Sequence, residues 1–134
     1  MTSILIVDDD EAVRSATKIL LDARGYEVVT APDGASGINA VKERQFDVAI
    51  VDLFMTGMDG LETAKAIRGH CPGMPIITAS GFMFGGGDTR PEMPDFEAMA
   101  LEAGATATIY KPFRPKELLQ IIEDALEPAR SVAK

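Results

Sequence analysis

An α/β fold, with a five-stranded parallel sheet and helices wound on both faces, is predicted by three features of the sequence. Short aliphatic runs alternate with segments of helical period along the chain. Several of these runs are apolar at every position, as strands buried on both faces must be. Each run is followed by a helical pattern, so consecutive strands run parallel through right-handed crossovers.

Ile4–Val7 is the first such run, short enough for a fully buried strand. Residues 11–24 follow as a helix, with Val13, Ala16, Thr17 and Leu20 on one stripe and Gly25 as its C-terminal cap. Tyr26–Thr30 is rich in β-branched residues and reads as the second strand. Asp33-Gly34 reads as a turn, and Ile38, Val41 and Arg44–Gln45 continue as a helix. Val48–Val51 is a third buried strand, ending at Asp52. Leu61, Ala64 and Ile67–Arg68 mark a third helix that closes near Gly69, and Pro75–Ala79 is a fourth strand. Gly81–Pro94 breaks the rhythm with a triple glycine and two prolines, long for a connection in a compact domain. Phe96, Met99, Ala100 and Ala103 restore helical spacing up to Gly104, and Thr106–Tyr110 is the fifth strand. Leu118, Ile122, Ala125 and Leu126 line the last helix, with Pro115 in its first turn and Pro128 beyond its end. One domain over residues 1–128 is expected, with 129–134 a short disordered tail and no output domain.

The bulk numbers agree with a globular domain. The chain has 134 residues, 46% hydrophobic and 25% charged, enough to bury a core without staples. Its single cysteine, Cys71, excludes an internal disulfide. The opening apolar run ends in three aspartates, too short for a signal peptide or a span of about 20 residues, so a cytoplasmic protein without membrane insertion is expected. Thirteen basic against 21 acidic residues leave a net charge of −8, which repels a phosphate backbone and argues against direct nucleic-acid binding.

Ligands of open parallel sheets sit beyond the carboxyl ends of the strands. Asp8, Asp9 and Asp10 follow the first strand here, Asp52 the third, Ser80 the fourth and Lys111 the fifth. Each has an ordinary explanation by itself. Asp10 fits a helix N-cap, Asp8 or Asp9 a turn, Ser80 a turn former, and Lys111 a surface lysine. Together they converge on one sheet edge. Two carboxylates about 4 Å apart repel by roughly 4 kcal/mol at an effective dielectric of 20, a large share of a domain's stability of ~5–15 kcal/mol. Positive charge must compensate: Lys111 for one carboxylate, a divalent cation for the rest. All-oxygen donors favour Mg²⁺ over Zn²⁺.

With these residues in view, the chain resembles the receiver domains of two-component response regulators. ILIVDDD is similar to their first strand and acidic pair, and VAIVDLFMTGMDGLE to the phosphoacceptor strand and loop. MPIITASG resembles the fourth strand with its hydroxyl, and ATIYKPF the fifth with its Lys-Pro. The resemblance covers residues 3–127 and implies a flavodoxin-like sheet of order 2-1-3-4-5. It also implies that Asp52 accepts the phosphoryl group, Asp9 ligates Mg²⁺ directly, Asp8 does so through water, and the Phe54 carbonyl completes the metal site. Ser80 and Lys111 would each hold a phosphoryl oxygen. The donor would be a phosphohistidine on a sensor histidine kinase or a histidine phosphotransfer protein. Such a receiver is not an enzyme beyond its own phosphorylation and dephosphorylation. Output to an unnamed downstream protein would pass through the face of the fourth helix, fifth strand and fifth helix, or by phosphoryl relay.

Three departures stand out. Receivers usually carry an aromatic residue three positions before the lysine, and here that residue is Thr108. Tyr110 lies directly before Lys111, on the same strand face as Thr108. Ser80, Thr108 and Tyr110 are thus switch candidates, and how they act is open. Thr56 replaces the usual proline after the acceptor, with Gly57 and Asp59-Gly60 still favouring the turn. The loop after Ser80 is longer than usual by about nine residues, and loops over ~12 residues are often functional. Its Phe82, Met83 and Phe84 suit either a connector tucked on the core or a lid beside the site. The triple glycine lacks the lysine and spacing of a nucleotide-binding loop. His70 is expected at the surface, Cys71 half-buried, and Met55 and Met58 in packing roles.

Two other functions compete. Asp8-Asp9-Asp10 after an aliphatic strand also fits a haloacid-dehalogenase-type phosphohydrolase with Asp8 as nucleophile. Against it, the chain is short for that fold and no second acidic pair follows the lysine. An interaction module that is never phosphorylated is the other, opposed by the complete acidic set, Ser80 and Lys111.

Overall fold

The computed structural model describes residues 1–55, 60–81 and 96–132. Strands β1 (Ser3–Val7), β2 (Glu27–Ala31), β3 (Val48–Asp52), β4 (Ile76–Gly81) and β5 (Ala107–Lys111) form one sheet. Helices α1 (Glu11–Asp22), α2 (Gly34–Glu43), α3 (Gly60–His70), α4 (Phe96–Glu102) and α5 (Pro115–Val132) alternate with them. The sheet is parallel, in the order β2-β1-β3-β4-β5, as the resemblance implied.

Pleating sends alternate strand residues to opposite cores. Ile4, Ile6, Val48, Ile50, Ile77, Ala79 and Ile109 meet Leu21 of α1 and Leu118 and Ile122 of α5 on one face. Leu5, Val7, Ala49, Val51 and Ile76 meet Val41 of α2 and Ala64 and Ile67 of α3 on the other. This two-sided burial explains why β1 and β3 are apolar at nearly every position. The switch in strand order falls between β1 and β3, so a crevice opens above their carboxyl ends.

Several local expectations need correction. Asp33-Gly34 is a helix start: Asp33 caps α2 by accepting the Ser36 N–H at 2.7 Å, and Gly34 is the first helical residue. That bond lowers the pKa of Asp33. An Asp-Gly pair serves turn and cap equally well, and the register of the following apolar stripe decides. In α1 the buried positions are Thr17 and Leu21, while Ala16 is exposed, a rotation of the stripe by part of a turn. The helix ends at Asp22, and Gly25 takes a positive φ of 87° beyond it. The strands β4 and β5 run one or two residues further than expected, so Ser80 and Lys111 lie within them.

The expected stop at Pro128 and the tail from 129 also differ, because α5 continues to Val132. A proline withdraws one N–H and disfavours helix just before it, a bias that the helix formers Ala129 and Arg130 oppose. At the amino ends of β4 and β5, Arg68 ties two turns together. Its guanidinium donates to the carbonyls of Cys71, Pro72, Met74 and Gly104 at 2.6–3.1 Å. His70 is exposed and Cys71 half-buried, as expected. Thr56, Gly57, Met58 and Asp59, and Phe82 to Pro94 of the long loop, lie outside the described residues.

Candidate functional site

The turn after β1 is built to aim Asp8 at the crevice. Asp8 is buried, and its Oδ1 accepts the Asp10 N–H at 2.9 Å. Arg14, one turn into α1, donates to the Asp8 carbonyl at 2.7 Å and pins the turn from below. Lys111 reaches across from β5 to Asp8 Oδ2 at 2.6 Å. Asp9 is exposed at the mouth. Asp10 turns to its own helix, accepting the Ala12 and Val13 N–H groups at 2.9 and 3.2 Å as the N-cap. The ordinary reading of Asp10 is therefore the right one.

Asp52 ends β3 with 5% of its surface exposed. Its Oδ1 accepts the Phe54 N–H at 3.1 Å, and its Oδ2 stands 3.4 Å from Lys111 Nζ. Gly60, the first residue of α3, donates its N–H to the Leu53 carbonyl at 3.1 Å. A Cβ on Gly60 would lie 2.1 Å from the Asp52 carbonyl oxygen and 2.3 Å from Leu53 Cα. Only glycine fits there. The sequence suggested no more than a turn preference for it.

Carboxylate oxygens of Asp8, Asp9 and Asp52 lie within 4.8 Å of one another. Three acids face one lysine. Burial pushes Asp52 up to about 6 against the pull of Lys111 and the Phe54 N–H, and Asp8 adds repulsion. For Lys111, burial acts downward, but the hydrogen bond to Asp8 and the charges of Asp52 and Asp8 outweigh it and raise its pKa. Uncompensated negative charge on an all-oxygen donor set is what a hard divalent ion relieves, so the residues present fit Mg²⁺.

Ser80 lies on β4, buried and paired in register with Tyr110, which is 39% exposed. Thr108 is half-buried beside Thr78. The fold thus brings Asp8, Asp9, Asp52 and Lys111 into contact range and sets Ser80 at the same sheet edge. Sequence reasoning missed Arg14, whose role depends on a carbonyl six residues away. It also missed Thr78, a buried hydroxyl that looked like one more β-branched strand residue.

Comparison with known proteins adds a consistent picture. A family model described as the response regulator receiver domain matches residues 4–123. Chemotaxis protein CheY4 of Vibrio cholerae is similar at 33% identity and TM-score 0.82, over 94% of this chain and 99% of that one. A CheY-like receiver domain protein from Methanospirillum hungatei gives 32% identity and TM-score 0.84, over 98% of both chains. Among curated relatives, transcriptional regulatory protein CseB of Streptomyces avermitilis is 34% identical over 112 residues, 84% of this chain and 43% of CseB. Transcriptional regulatory protein GlrR of Escherichia coli is 36% identical over 126 residues, 92% of this chain and 26% of GlrR. The chain thus spans less than half the length of these two regulators.

Proposed function

Because this chain belongs to the response-regulator receiver family, we propose that it accepts a phosphoryl group on Asp52 from a phosphohistidine donor, with Mg²⁺ bound beside it. The observation that carries this is the convergence of Asp8, Asp9 and Asp52 within 4.8 Å, with Lys111 3.4 Å from Asp52 Oδ2.

With a pKa of about 6, Asp52 is mostly ionised at neutral pH and available as a nucleophile. Its carboxylate attacks the phosphorus of the donor and forms the new P–O bond. The P–N bond breaks, and its electron pair returns to the imidazole nitrogen, which takes up a proton. Both partners start anionic, so the reaction depends on charge cancellation in the transition state. When bound by Asp8, Asp9, Asp52 and the Phe54 carbonyl, Mg²⁺ supplies most of that positive charge. Lys111 supplies the rest by shifting its ammonium from Asp8 toward a phosphoryl oxygen. Ser80 donates its hydroxyl to another. The chemistry is confined to the protein's own phosphorylation and dephosphorylation.

The donor is a sensor histidine kinase or a histidine phosphotransfer protein, in the cytoplasm. No described helix is long and apolar enough to cross a membrane. Output passes by protein binding or relay. Exposed Met99 and Leu101 of α4 and Tyr110 of β5 offer a surface for it on the side of the sheet edge that carries Ser80 and Lys111. The phosphohydrolase reading is disfavoured by the match to the receiver-domain family over residues 4–123. Intact-protein mass after incubation with Mg²⁺ and a small phosphodonor tests the assignment. One phosphoryl adduct that needs Mg²⁺ and disappears in Asp52→Asn supports it. An adduct kept in Asp52→Asn and lost in Asp8→Asn would transfer the role to Asp8.

A further inference from the structure

Thr78 is fully buried in the middle of β4, and its hydroxyl has no hydrogen-bond partner. It lies two residues before Ser80, on the same sheet face as Ile76, which packs among Ala64 and Ile67 of α3. Its register neighbours are Val51 on β3, which offers no polar side-chain atom, and Thr108 on β5. One step along the same ladder, Ser80 faces Tyr110. Four hydroxyl-bearing side chains thus form a two-by-two block at the carboxyl ends of β4 and β5, and the innermost is left unbonded. An unbonded buried hydroxyl disfavours the state that contains it.

We propose that Thr78 and Thr108 form a two-state hydroxyl switch, unpaired in the form described here and hydrogen-bonded when Asp52 is phosphorylated. The inference rests on the assignment of Asp52 as phosphoacceptor. Phosphorylation draws Ser80 and Lys111, at the ends of β4 and β5, toward the new phosphoryl oxygens. Thr78 and Thr108 lie two and three residues before them, on the two strands so displaced. Cross-strand threonine hydroxyls are within reach of each other after small shifts and χ1 rotation. A threonine at position 108 cannot fill space as an aromatic ring would, but it can satisfy Thr78. The orphan penalty then biases the equilibrium toward the phosphorylated conformation, because a group bonded in only one of two states shifts the population between them.

The test is binding of beryllofluoride, a phosphoryl mimic, in the presence of Mg²⁺, followed by ¹⁹F NMR for the full chain. Thr78→Val removes the hydroxyl and keeps the shape, and urea unfolding of the unliganded protein confirms that the variant folds. Thr78→Val is expected to bind about tenfold more weakly than wild type, which at ~1.4 kcal/mol per decade lies within the cost of a buried orphan hydroxyl. Thr108→Val should lose a similar factor, the double variant should lose no more than either single one, and Thr78→Ser should restore wild-type affinity. Wild-type affinity in Thr78→Val overturns the switch, because the hydroxyl is then equally placed in both states. Losses that simply multiply in the double variant also overturn it, since the two groups then act separately. Failure of wild type to bind beryllofluoride at all overturns the phosphoacceptor assignment, and the switch with it.

Discussion

At Asp52, burial outweighs the attraction of Lys111, so the carboxyl titrates at about 6 in place of 3.8. The folded-state value lies above the unfolded one, so the folded protein holds this proton more tightly. Its contribution to stability is complete below about pH 4 and is lost as pH rises through the folded value, by up to ~3 kcal/mol. Asp52→Asn has no charge to bury. In metal-free buffer its urea midpoint should match wild type near pH 4 and exceed it at about pH 7.5. A gap that stays constant with pH would show an ordinary carboxyl. Gly60 makes a steric claim of the same order. Gly60→Ala forces a methyl against the Asp52 carbonyl oxygen, and about 3 kcal/mol of stability should go, at the upper end for overpacking. Thermal unfolding measures that loss, and intact mass should show slower adduct formation in the protein that remains folded.

Among the elements, those with strong periodicity were legible in the sequence and those decided by one punctuating residue were not. Leu118, Ile122, Ala125 and Leu126 line the buried face of α5 as the spacing required. Yet Pro128 did not end the helix. Asp33 reads as turn or cap until the apolar stripe behind it is docked on β1. There Gly37 lies so close that a Cβ would approach Val7 Cγ2 to 2.7 Å. Arg68 shows what periodicity cannot express. It sits in the last turn of α3, where a cation suits the helix end, but its hydrogen bonds run to four carbonyls in two separate turns. A lysine keeps the charge and cannot form that fork. Arg68→Lys should therefore cost about 1–2 kcal/mol in urea unfolding, since partly buried carbonyls of Cys71, Met74 and Gly104 lose donors. Asp52 should still phosphorylate normally, because the clamp lies at the opposite end of the strands from the site. A drop in adduct formation would mean that the clamp reaches Asp52 through β4.

For the whole molecule, a net charge of −8 with three carboxylates gathered at one edge predicts that Mg²⁺ and folding are coupled. Mg²⁺ at a hundredfold excess over its dissociation constant should stabilise the fold by about 2.7 kcal/mol. Asp9→Asn should lose most of that gain while changing the metal-free stability little, because Asp9 is exposed. Thermal unfolding with Mg²⁺, against NaCl at equal ionic strength, checks it. An equal rise in both proteins would mean general screening. The alternation of strand and helix, the sheet's two-sided burial and the set Asp8, Asp9, Asp52, Ser80 and Lys111 are all determined by the sequence, since each follows from local period or from position after an apolar run. The tertiary structure decided which partners those residues have. Lys111 holds Asp8 more closely than Asp52, the Asp10 carboxylate caps its own helix, Gly60 admits the Asp52 backbone, and the Thr78 hydroxyl is left without a partner. The two Lys111 contacts join residues far apart in the chain, Asp8 and Lys111 by 103 positions. Their geometry exists only once the sheet has set its register, and no local pattern encodes it.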